Sequence, residues 1–518
     1  MEGEYISMSK RALISVTDKT GVVEFAKALN ELDFEIISTG NTFKILKENG
    51  VNVMQVEDVT KFPEILDGRV KTLNPFIHGG ILYRRDLESH VETVKEHGIH
   101  SIDLVCVNLY DFEGTLKAGK SHAEMIENID IGGPSMIRSA AKNYKDVIVV
   151  TDIKDYDLVI EGLRKGDLTE EERRNLAYKA FSTTGRYDAM ISTYFAEQVG
   201  EDYPEFLNLT FQKEQTLRYG ENPHQNGILY AQPNAKNPIL NYEQLNGKEL
   251  SFNNLNDLHG CLEVMREFKD SDKVAAVAIK HTNPCGVALG DTALEAYTKC
   301  YEADKTSIFG GIVGITSTVD KATAEELHKI FLEIVVAYDF TDEALEVLRT
   351  KKNLRVLKLA KIEDSKQKYE MKYLDGKLLI QDKDTKLADK YETVTKLEPT
   401  EEELEDMKFG MKIVKNMKSN AIAVVKDGQT LALGCGQTSR IWALKNALEN
   451  NKDEKDFTGA TLASDAFFPF DDCVTLANEF GIKSIVQPGG SIRDNDSIEA
   501  CDKFNMSMVF TGVRHFKH

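Results

Sequence analysis

A lysine, a histidine and a cysteine fall within six positions in the stretch "AIKHTNPCG" (278–286), which directly follows an apolar run. A Pro-Cys pair belongs to the signature of zinc deaminases, but that signature also needs a second cysteine and an upstream His-x-Glu. Here Cys285 is followed by "GVA", and no His-x-Glu occurs in the 160 residues before it (125–284). Since catalytic zinc takes three protein ligands, the stretch is not a zinc site. An acid–base role is open to Lys280 and His281, although such a dipeptide alone is more often structural.

Composition excludes several classes of protein. The 518 residues carry a net charge of −20, so a general nucleic-acid binder is not expected. Seven scattered cysteines are typical of free thiols in a reducing compartment. The start of the chain has no signal-peptide pattern, and no apolar run reaches the roughly 18 residues that cross a bilayer. We therefore expect a cytoplasmic protein of about three domains, without a membrane partner.

The first 150 residues alternate strand and helix patterns, which predicts a mostly parallel sheet with helices on both faces. Thr169 and Glu172 form a capping box that opens a helix, predicted to run to about Phe181. The polar stretch 200–208 then resembles a domain boundary.

Beyond that boundary, residues 276–302 and 421–449 share a layout of strand, glycine-bearing turn and helix. Structural similarity of these two halves is a hypothesis, because the sequence match is loose. The charge-rich segment 341–408 is predicted to be a connecting lobe. It contains a hairpin turn at Asp375-Gly376 and a capping box formed by Thr400 and Glu403.

Two short turns near the start of the chain are candidate anion sites. "SVTDKTG" (15–21) supplies Thr17 and Lys19 between a strand and a helix, and "STGNT" (38–42) repeats the arrangement one unit later. Ordinary capping explains most such turns singly. Two at successive strand ends point more strongly to a ligand, because ligands gather at that edge of an open sheet.

Two further stretches carry charge next to these turns. "GRVKTLNP" (68–75) sets Arg69 and Lys71 two residues apart, so an extended segment would point both to one side, and a solvated loop is the alternative. In "NIDIGGPSMIRSAAKN" (128–143), Asp130 precedes a Gly-Gly turn and Lys142 lies near the far end of a helix. An acid and a lysine beside a phosphate would suit proton transfer at nitrogen, although Lys142 could simply complement the helix dipole.

In the second part of the chain, "LRYGENPHQ" (217–225) concentrates polar groups in a loop, as a site or a hydrogen-bonded turn would. "SDAFFPFDD" (464–472) has adjacent aromatics that could stack a flat ring or fill a core junction. The basic and aromatic end "GVRHFKH" (512–518) would by default fray.

Eight motifs occur in one order, and together they carry a resemblance: "VTDKTG", "GRVKTLNP", "NLYDFE", "IDIGGPSMIRSAAKN", "LRYGENPHQ", "KHTNPCG", "SDAFFPFDD" and "VRHFKH". The chain resembles, from about residue 10 to 518, the bifunctional purine biosynthesis family that joins AICAR transformylase to IMP cyclohydrolase. The resemblance implies an α/β protein: a methylglyoxal-synthase-like parallel-sheet domain followed by two cytidine-deaminase-like subdomains without zinc. The implied boundaries are 1–204, 205–340, a connecting lobe 341–408, and 409–518.

The resemblance also implies two consecutive reactions. Formyl would pass from the co-substrate 10-formyltetrahydrofolate to AICAR, giving FAICAR, which would then close to IMP with loss of water. The family's members are homodimers with transformylase sites across the interface. The resemblance leaves a bound potassium ion open.

Residue roles follow from the resemblance in the same way. His281 would take the proton from the AICAR amine, Lys280 would stabilise the developing charge or protonate the folate nitrogen, and Asn420 would hold the formyl oxygen. Nucleotide contacts would come from Arg218, Tyr219 and Arg514 together with Lys280, and folate contacts from Phe467 and Asp472.

In the cyclohydrolase, Asp130 would act on the carboxamide nitrogen. Lys71, Tyr110 and Lys142 would support ring closure and dehydration. The positions implied for phosphate and ribose are Thr17, Lys19, Thr39, Gly40, Arg69 and Thr72.

Four positions depart from the family pattern. Asn74 and Thr183 stand where the family has histidine, and Asp111 and Tyr338 stand where it has proline. These positions flank the reactive ones, so the contacts that support the reactive residues, and the nucleotide contacts near Glu333, are expected to differ from the family's. Two further readings stay open: a nucleotide-binding protein that lost its chemistry, and an enzyme with one active half.

Overall fold

The computed structural model describes residues 10–233, 235 and 238–518. The chain divides into two compact units between Gln212 and Lys213, and the short stretch at Gln232 and Pro233 groups with the first unit. We call them the amino-terminal and the carboxy-terminal unit. Among the residues described, no helix is long and apolar enough to cross a membrane.

The amino-terminal unit is built on a parallel sheet in the order β3-β2-β1-β4-β5, five strands within the described part of the chain. The strands are β1 (Lys10–Ser15), β2 (Phe34–Ser38), β3 (Val53–Gln55), β4 (Leu104–Val107) and β5 (Ile148–Val150). Their side chains are mostly buried on both faces, as expected for strands covered by helices on each side. The predicted alternation of strands and helices is confirmed.

Helices of this unit connect and cover the strands. They are α1 (Val22–Glu31), α2 (Gly40–Glu48), α3 (Val56–Thr60), α4 (Pro75–Leu82), α5 (Glu88–Glu96), α6 (Phe112–Lys117), α7 (His122–Glu127), α8 (Gly132–Lys142), α9 (Tyr156–Arg164) and α10 (Glu170–Val199). A short 3-10 turn, Ile153–Asp155, precedes α9.

Helix α10 is longer than predicted. The capping box of Thr169 and Glu172 is confirmed, but the predicted end near Phe181 is wrong. The helix continues because buried Thr184 and Tyr187 extend its packed face, and it ends where Gly200 takes the left-handed conformation (φ 70°).

The carboxy-terminal unit is dominated by a mixed sheet in the order β16-β21-β20-β19-β17-β18-β10-β9-β11-β12-β13-β8, twelve strands among the described residues. Its strands are β8 (Tyr242–Asn246), β9 (Val274–Lys280), β10 (Asn283–Gly290), β11 (Ile312–Val319), β12 (Ile334–Phe340), β13 (Arg355–Leu359), β16 (Glu392–Thr393), β17 (Ile422–Lys426), β18 (Gln429–Gly434), β19 (Thr461–Ser464), β20 (Ser484–Gln487) and β21 (Ser507–Phe510). Two hairpins lie outside it: β6 (Gln212–Leu217) with β7 (Gly227–Ala231), and β14 (Tyr369–Leu374) with β15 (Lys377–Asp382).

The helices of this unit pack on the two faces of the large sheet. They are α11 (Phe252–Arg266), α12 (Ala293–Ala303), α13 (Lys321–His328), α14 (Asp342–Arg349), α15 (Glu401–Val414), α16 (Arg440–Glu449), α17 (Asp472–Glu479) and α18 (Asp494–Phe504).

The large sheet consists of two halves with the same topology. In the first, β9 and β10 form a hairpin and the order is 10-9-11-12-13; in the second, β17 and β18 form a hairpin and the order is 18-17-19-20-21. The halves join edge to edge through β10 and β18, where Ala288 pairs with Gln429. The similarity of the halves that the sequence suggested is confirmed at the level of topology.

The segment 341–408 contributes to both halves. Helix α14 and strand β13 extend the first half past the predicted boundary at residue 340, because β13 pairs with β12. The hairpin turn at Asp375-Gly376 and the capping box that Thr400 forms at the start of α15 are confirmed.

Candidate active sites

A cavity of about 770 Å³ lies at the carboxyl edge of the amino-terminal sheet. Strand β1 sits between β2 and β4, and this reversal of chain order is where open α/β sheets bind ligands. The cavity is lined by nine of the predicted positions: Thr17, Lys19, Thr39, Gly40, Arg69, Lys71, Thr72, Tyr110 and Asp130.

One side of the cavity is suited to an anion. Helix α2 begins at Gly40, and its N-cap residue Thr39 makes no side-chain cap but bonds the Ser15 hydroxyl at 2.9 Å. The N-cap side chain therefore does not occupy the first amides of α2, as at helix ends that bind phosphate. The Lys19 ammonium donates to the carbonyls of Val16 (2.9 Å) and Thr17 (3.1 Å), and burial lowers its pKa.

Asn108 fixes this loop and was not predicted. Its amide oxygen accepts the backbone N–H groups of Thr17 and Asp18, and its amide nitrogen donates to the Asp18 carbonyl at 3.0 Å. Its place at the end of β4, in the motif "NLYDFE", was the available signal, because the carboxyl ends of parallel strands meet at one edge.

Asp130, which also lines the cavity, is held in a defined position. Its carboxylate accepts the Gly133 N–H at 2.8 Å, and its backbone N–H donates to the Tyr187 hydroxyl at 2.9 Å. Burial raises the pKa of Asp130 above its ordinary 3.8, although hydrogen bonds and the Lys71 charge act against that shift. Burial and the Asp130 charge also raise the pKa of Tyr110. A carboxylate with raised proton affinity beside a neutral phenol can move a proton at a bound nitrogen.

The two basic residues of "GRVK" have different surroundings. Lys71 is partly buried, and its Nζ lies 3.8 Å from Glu64 Oε2. The same Nζ approaches Gly40 so closely that a Cβ atom added to that glycine would lie 3.8 Å from it. Lys71 is therefore close to the start of α2. Arg69 is more exposed and forms an ion pair with Glu127.

Lys142 does not join this group. It is exposed at the carboxyl end of α8, whereas Gly132 and Gly133 at the other end line the cavity. Ten residues of helix span about 15 Å, so one helix cannot bring both of its ends to the same ligand atom.

Two of the departures from the family pattern are helix caps. Asn74 accepts the Phe76 N–H at 2.9 Å and starts α4, and Asp111 accepts the Gly114 N–H at 2.8 Å and starts α6. Thr183 bonds the Lys179 carbonyl within α10 at 2.9 Å. The side chains of Asn74, Asp111 and Thr183 thus each have a local structural partner.

In the carboxy-terminal unit, Lys280 ends β9 and His281 and Thr282 form the turn to β10. Both turn residues have positive φ (52° and 64°), which matches a two-residue type I′ hairpin. Asp257 of α11 accepts the Thr282 N–H at 2.7 Å, and the Lys280 ammonium donates to the Phe309 carbonyl at 2.7 Å. The His281 side chain is left exposed.

The segment that carries Asn420 lies against this turn. The Lys418 N–H donates to Asn283 Oδ1 at 3.0 Å, and Asn283 directly follows the turn. Asn420 donates through Nδ2 to the Gln437 carbonyl (2.8 Å) and accepts at Oδ1 from Arg440 (2.6 Å). Hydrogen bonds thus link the neighbourhoods of His281 and Asn420, which are 139 residues apart in the sequence.

The carboxyl-terminal tail is tied to the same segment. Ser419 and Lys517 exchange two hydrogen bonds, of 2.9 and 3.1 Å. His515 is 1% exposed, and its ring bonds Asp384 (2.7 Å) and the Leu387 carbonyl (2.9 Å). The tail therefore does not fray. Arg514 is three residues before Lys517, which bonds Ser419, and its guanidinium lies 4.3 Å from the centre of the Phe516 ring.

The predicted folate positions, Phe467 and Asp472, follow Asp465, which is hydrogen-bonded to the segment that carries Asn420. Asp465 accepts the Ser419 hydroxyl at 2.5 Å, and Phe467 comes two residues later. Phe467 is half-buried whereas Phe468 is completely buried, so the first ring keeps a free face and the second fills the core. Asp472 is the first residue of α17.

The loop of Arg218 and Tyr219 reaches the same region through α11. The Arg218 guanidinium lies 5.2 Å from the centre of the Tyr219 ring. Asn253, one helical turn before Asp257, donates to the Glu221 carbonyl at 3.2 Å. We call the assembly of the 280–283 turn, the 418–420 segment, the Asp465 loop and the tail the junction cluster, because it lies beside the β10–β18 junction.

Sequence reasoning missed three supporting residues of the junction cluster: Asp257, Arg440 and Asp465. Their contacts join segments far apart in the chain, and a single sequence carries no signal for them. Within the ranges described, no group of three or more His, Cys, Asp or Glu residues could hold a metal ion.

Comparison with known proteins gives consistent results. The family described as "AICARFT/IMPCHase bienzyme" matches residues 140–450, and the one described as "MGS-like domain" matches residues 21–135. The "Bifunctional purine biosynthesis protein PurH" of Clostridioides difficile (strain 630) is 82% identical over 511 residues, covering 99% of this chain and 100% of its own. The protein of the same name from Clostridium botulinum (strain Okra / Type B1) is 55% identical over 512 residues, with coverage of 99% and 100%. A solved structure titled "Crystal structure of ForH" is 36% identical, covers 36% of this chain and 97% of its own, and aligns with a TM-score of 0.33.

Proposed function

Because the chain belongs to the AICARFT/IMPCHase bienzyme family, we propose that its two reactions are divided between the junction cluster and the amino-terminal cavity. The chain is a purine biosynthesis enzyme: it transfers formyl from 10-formyltetrahydrofolate to AICAR and closes the product FAICAR to IMP. The assignment of each reaction to residues is our proposal.

Formyl transfer is assigned to the junction cluster. The AICAR amine attacks the formyl carbon, and His281 takes the proton that the amine loses. Asn420 donates an N–H to the formyl oxygen as negative charge develops there, which is the kind of contact that stabilises acyl-transfer transition states. Lys280 protonates or electrostatically stabilises the folate nitrogen as its bond to the formyl carbon breaks. Arg218, Tyr219 and Arg514 bind the nucleotide, and Phe467 and Asp472 bind the folate.

Ring closure is assigned to the amino-terminal cavity. Asp130 removes a proton from the carboxamide nitrogen as that nitrogen attacks the formyl carbon. Tyr110 and Lys71 assist the proton transfers that release the formyl oxygen as water. The start of α2 with Thr17, Lys19, Thr39 and Gly40 holds the phosphate, and Arg69 and Thr72 position the nucleotide. Lys142 is left out of this mechanism because its side chain lies at the far end of α8.

The observation that carries the division is that each predicted set of residues gathers within its own unit. Asp130, Lys71 and the anion-binding turns line one cavity. Lys280, His281 and Asn420 are linked through the Asn283–Lys418 hydrogen bond. Two separate constellations with proton-transfer groups suit two consecutive reactions.

The test is a reciprocal pair of variants in single-turnover absorbance experiments. Tetrahydrofolate release from AICAR and 10-formyltetrahydrofolate is followed separately from IMP formation. His281→Ala is expected to lower formyl transfer by about 10²- to 10⁴-fold, the usual contribution of a general base, and still to cyclise supplied FAICAR. Asp130→Asn is expected to do the reverse.

Matched controls complete the design. Lys142→Ala should leave both reactions within about twofold, whereas Lys71→Ala should slow cyclisation by about 100-fold through loss of a charge near the reacting atoms. Normal tetrahydrofolate release by His281→Ala would refute the junction assignment, and normal cyclisation by Asp130→Asn would refute the cavity assignment.

Four further expectations stay predictions, the cytoplasmic location from composition and the other three from the family resemblance. They are homodimer assembly, a bound potassium ion, a cytoplasmic location, and the division into 1–204, 205–340, 341–408 and 409–518. Sedimentation of the purified chain at several concentrations would test the first.

A further inference from the structure

The side chain of Asn420 accepts a hydrogen bond from a buried arginine, which is among neither the proposed nucleotide contacts nor the proposed folate contacts. Arg440, the first residue of α16, is 6% exposed, and its Nη2 donates to Asn420 Oδ1 at 2.6 Å. Its Nη1 pairs with the carboxylate of Asp465, which is completely buried, and donates to the Ser464 hydroxyl at 2.9 Å. One guanidinium thus bridges the asparagine to a fixed carboxylate.

These contacts decide which way the Asn420 amide faces. A guanidinium can only donate hydrogen bonds, so the atom of Asn420 that meets Arg440 must be the oxygen. A backbone carbonyl can only accept, so the atom that meets the Gln437 carbonyl at 2.8 Å must be the nitrogen. Both contacts select the same amide orientation, and a flipped amide would place like groups together at both ends.

The fixed orientation leaves one donor available. The amide nitrogen has two hydrogens, and in the part of the chain that the structure covers the Gln437 carbonyl takes one of them. The oxygen is occupied by Arg440. What Asn420 offers to a ligand is therefore an N–H group, which suits an oxygen that gains negative charge.

Asp465 keeps the arginine itself in place. Besides pairing with Arg440, its second carboxylate oxygen accepts the Ser419 hydroxyl at 2.5 Å, and its carbonyl accepts the His515 N–H at 2.9 Å. Hydrogen bonds thus connect Arg440 and the tail directly to one buried residue, Asp465, and Asn420 to it through Arg440. A fully paired buried charge holds its partners far more rigidly than an exposed one.

We propose that Arg440, anchored on Asp465, is a positioning residue for formyl transfer: it locks the Asn420 side chain so that its N–H faces the formyl oxygen. The proposal rests on the proposed role of Asn420 in formyl transfer. Arg440 acts through Asn420 and does not itself contact the reacting atoms.

The experiment uses the full chain with Arg440→Lys, Asn420→Ala and the double variant. Lysine keeps the charge beside Asp465 but lacks the planar fork that reaches Asn420 at the same time. We expect kcat for formyl transfer to fall by about 100-fold in Arg440→Lys, the cost of misplacing a reacting group by roughly 1 Å, with KM for both substrates nearly unchanged. The double variant should be no slower than Asn420→Ala, because the arginine acts only through the asparagine.

A second variant works without disturbing Arg440. Asn420→Asp keeps an acceptor for the guanidinium but removes the N–H, so it should lose formyl transfer as Asn420→Ala does. Cyclisation of supplied FAICAR should be normal throughout and serves as the concentration control.

The outcomes distinguish the positioning role of Arg440 from the proposed role of Asn420. Normal kcat in Arg440→Lys together with an impaired Asn420→Ala overturns the positioning role alone. Effects of the two substitutions that multiply in the double variant, or full activity in Asn420→Asp, also overturn it. A fully active Asn420→Ala overturns both the positioning role and the proposed role of Asn420.

Discussion

The two hairpin turns at equivalent places in the halves of the carboxy-terminal unit differ in their residues. Strands β17 and β18 turn through Asp427 and Gly428 (φ 53° and 66°), and strands β9 and β10 turn through His281 and Thr282 (φ 52° and 64°). Asp-Gly is among the pairs that a type I′ turn prefers, whereas a β-branched residue at positive φ costs about 1–3 kcal/mol. The first half therefore keeps a less stable turn at the place where a histidine is exposed.

The supports of the two turns are nevertheless alike. Asp257 accepts the Thr282 N–H at 2.7 Å, and Asp406 accepts the N–H groups of Asp427 and Gly428, both at 2.9 Å. Burial raises the pKa of both carboxyl groups.

The lysines that end β9 and β17 also match. Lys280 donates to the Phe309 carbonyl at 2.7 Å, and Lys426 donates to the Thr458 carbonyl at 2.8 Å. A lysine and a carboxylate at these places are thus part of the hairpin architecture in both halves. A residue that differs between the two turns is His281, to which we assigned the general-base role.

Exchanging the reactive turn for its counterpart should have the largest effect. In a variant with His281→Asp and Thr282→Gly, formyl transfer should fall by about 10²- to 10⁴-fold, because the imidazole is replaced by a shorter and less basic carboxylate while the turn is kept. The reverse exchange, Asp427→His with Gly428→Thr, should lower stability by about 1–3 kcal/mol and leave both reactions intact. Single-turnover absorbance and thermal unfolding measure the two effects. Equal losses of formyl transfer in both exchanges would break the comparison.

The second-largest effect should be a difference in formyl transfer between variants of the two lysines. Lys280→Met should slow formyl transfer by about 100-fold, through loss of a charge that stabilises the departing nitrogen. Lys426→Met removes the matching carbonyl contact and should leave formyl transfer within about twofold. A steady-state assay of tetrahydrofolate release decides between them. If both variants were equally active, Lys280 would have only the structural role that its counterpart has.

The two carboxylates should differ less. Asp257→Ala leaves the Thr282 N–H without its acceptor, which costs about 1–3 kcal/mol and loosens the turn, so formyl transfer should fall by about tenfold. Asp406→Ala should lower the melting temperature to a similar extent without this loss. Asp257→Asn, which retains an acceptor oxygen, should restore most of the activity. A failure of asparagine to restore it would show that the charge of Asp257 matters rather than its hydrogen bond.

The smallest effect should come from Thr282→Gly alone. Glycine adopts positive φ without strain, so stability should rise by up to about 1 kcal/mol and the melting temperature by about 2 °C. Because His281 is kept, formyl transfer should stay within about twofold. Calorimetry of the full chain is the measurement. A lower melting temperature would mean that the Thr282 hydroxyl, which bonds the His281 carbonyl at 2.6 Å, outweighs the backbone strain.

The amino-terminal cavity could largely be predicted from the sequence, for a geometric reason. Motifs that follow successive parallel strands must end at one edge of the sheet, so Thr17 and Thr39 were expected to converge, whereas Tyr110 was expected only from the family resemblance. The role of Lys142 stays a prediction of the family resemblance: its motif spans α8, and a helix of that length separates Lys142 from the cavity-lining glycines by about 15 Å.

The junction cluster could be predicted only through the family resemblance. Its position depends on the pairing of β10 with β18 and on the contacts of Asp465, and both join segments 25 or more residues apart. Helix α10 was cut short because its sequence beyond Phe181 is polar on one face, and the buried Tyr187 and Met190 of the other face became evident only in the fold.

The edge-to-edge union of the two halves has a consequence for handling the chain in pieces. The large sheet ends on one side at β16, which has two residues, and on the other at β8, as far as the described chain extends. A fragment cut between the halves would expose β10 or β18 as a long edge with unpaired amides, such as the Leu289 N–H that now donates to the Gly428 carbonyl at 2.9 Å. Such edges recruit other strands, so the separated halves should aggregate, or rejoin when mixed.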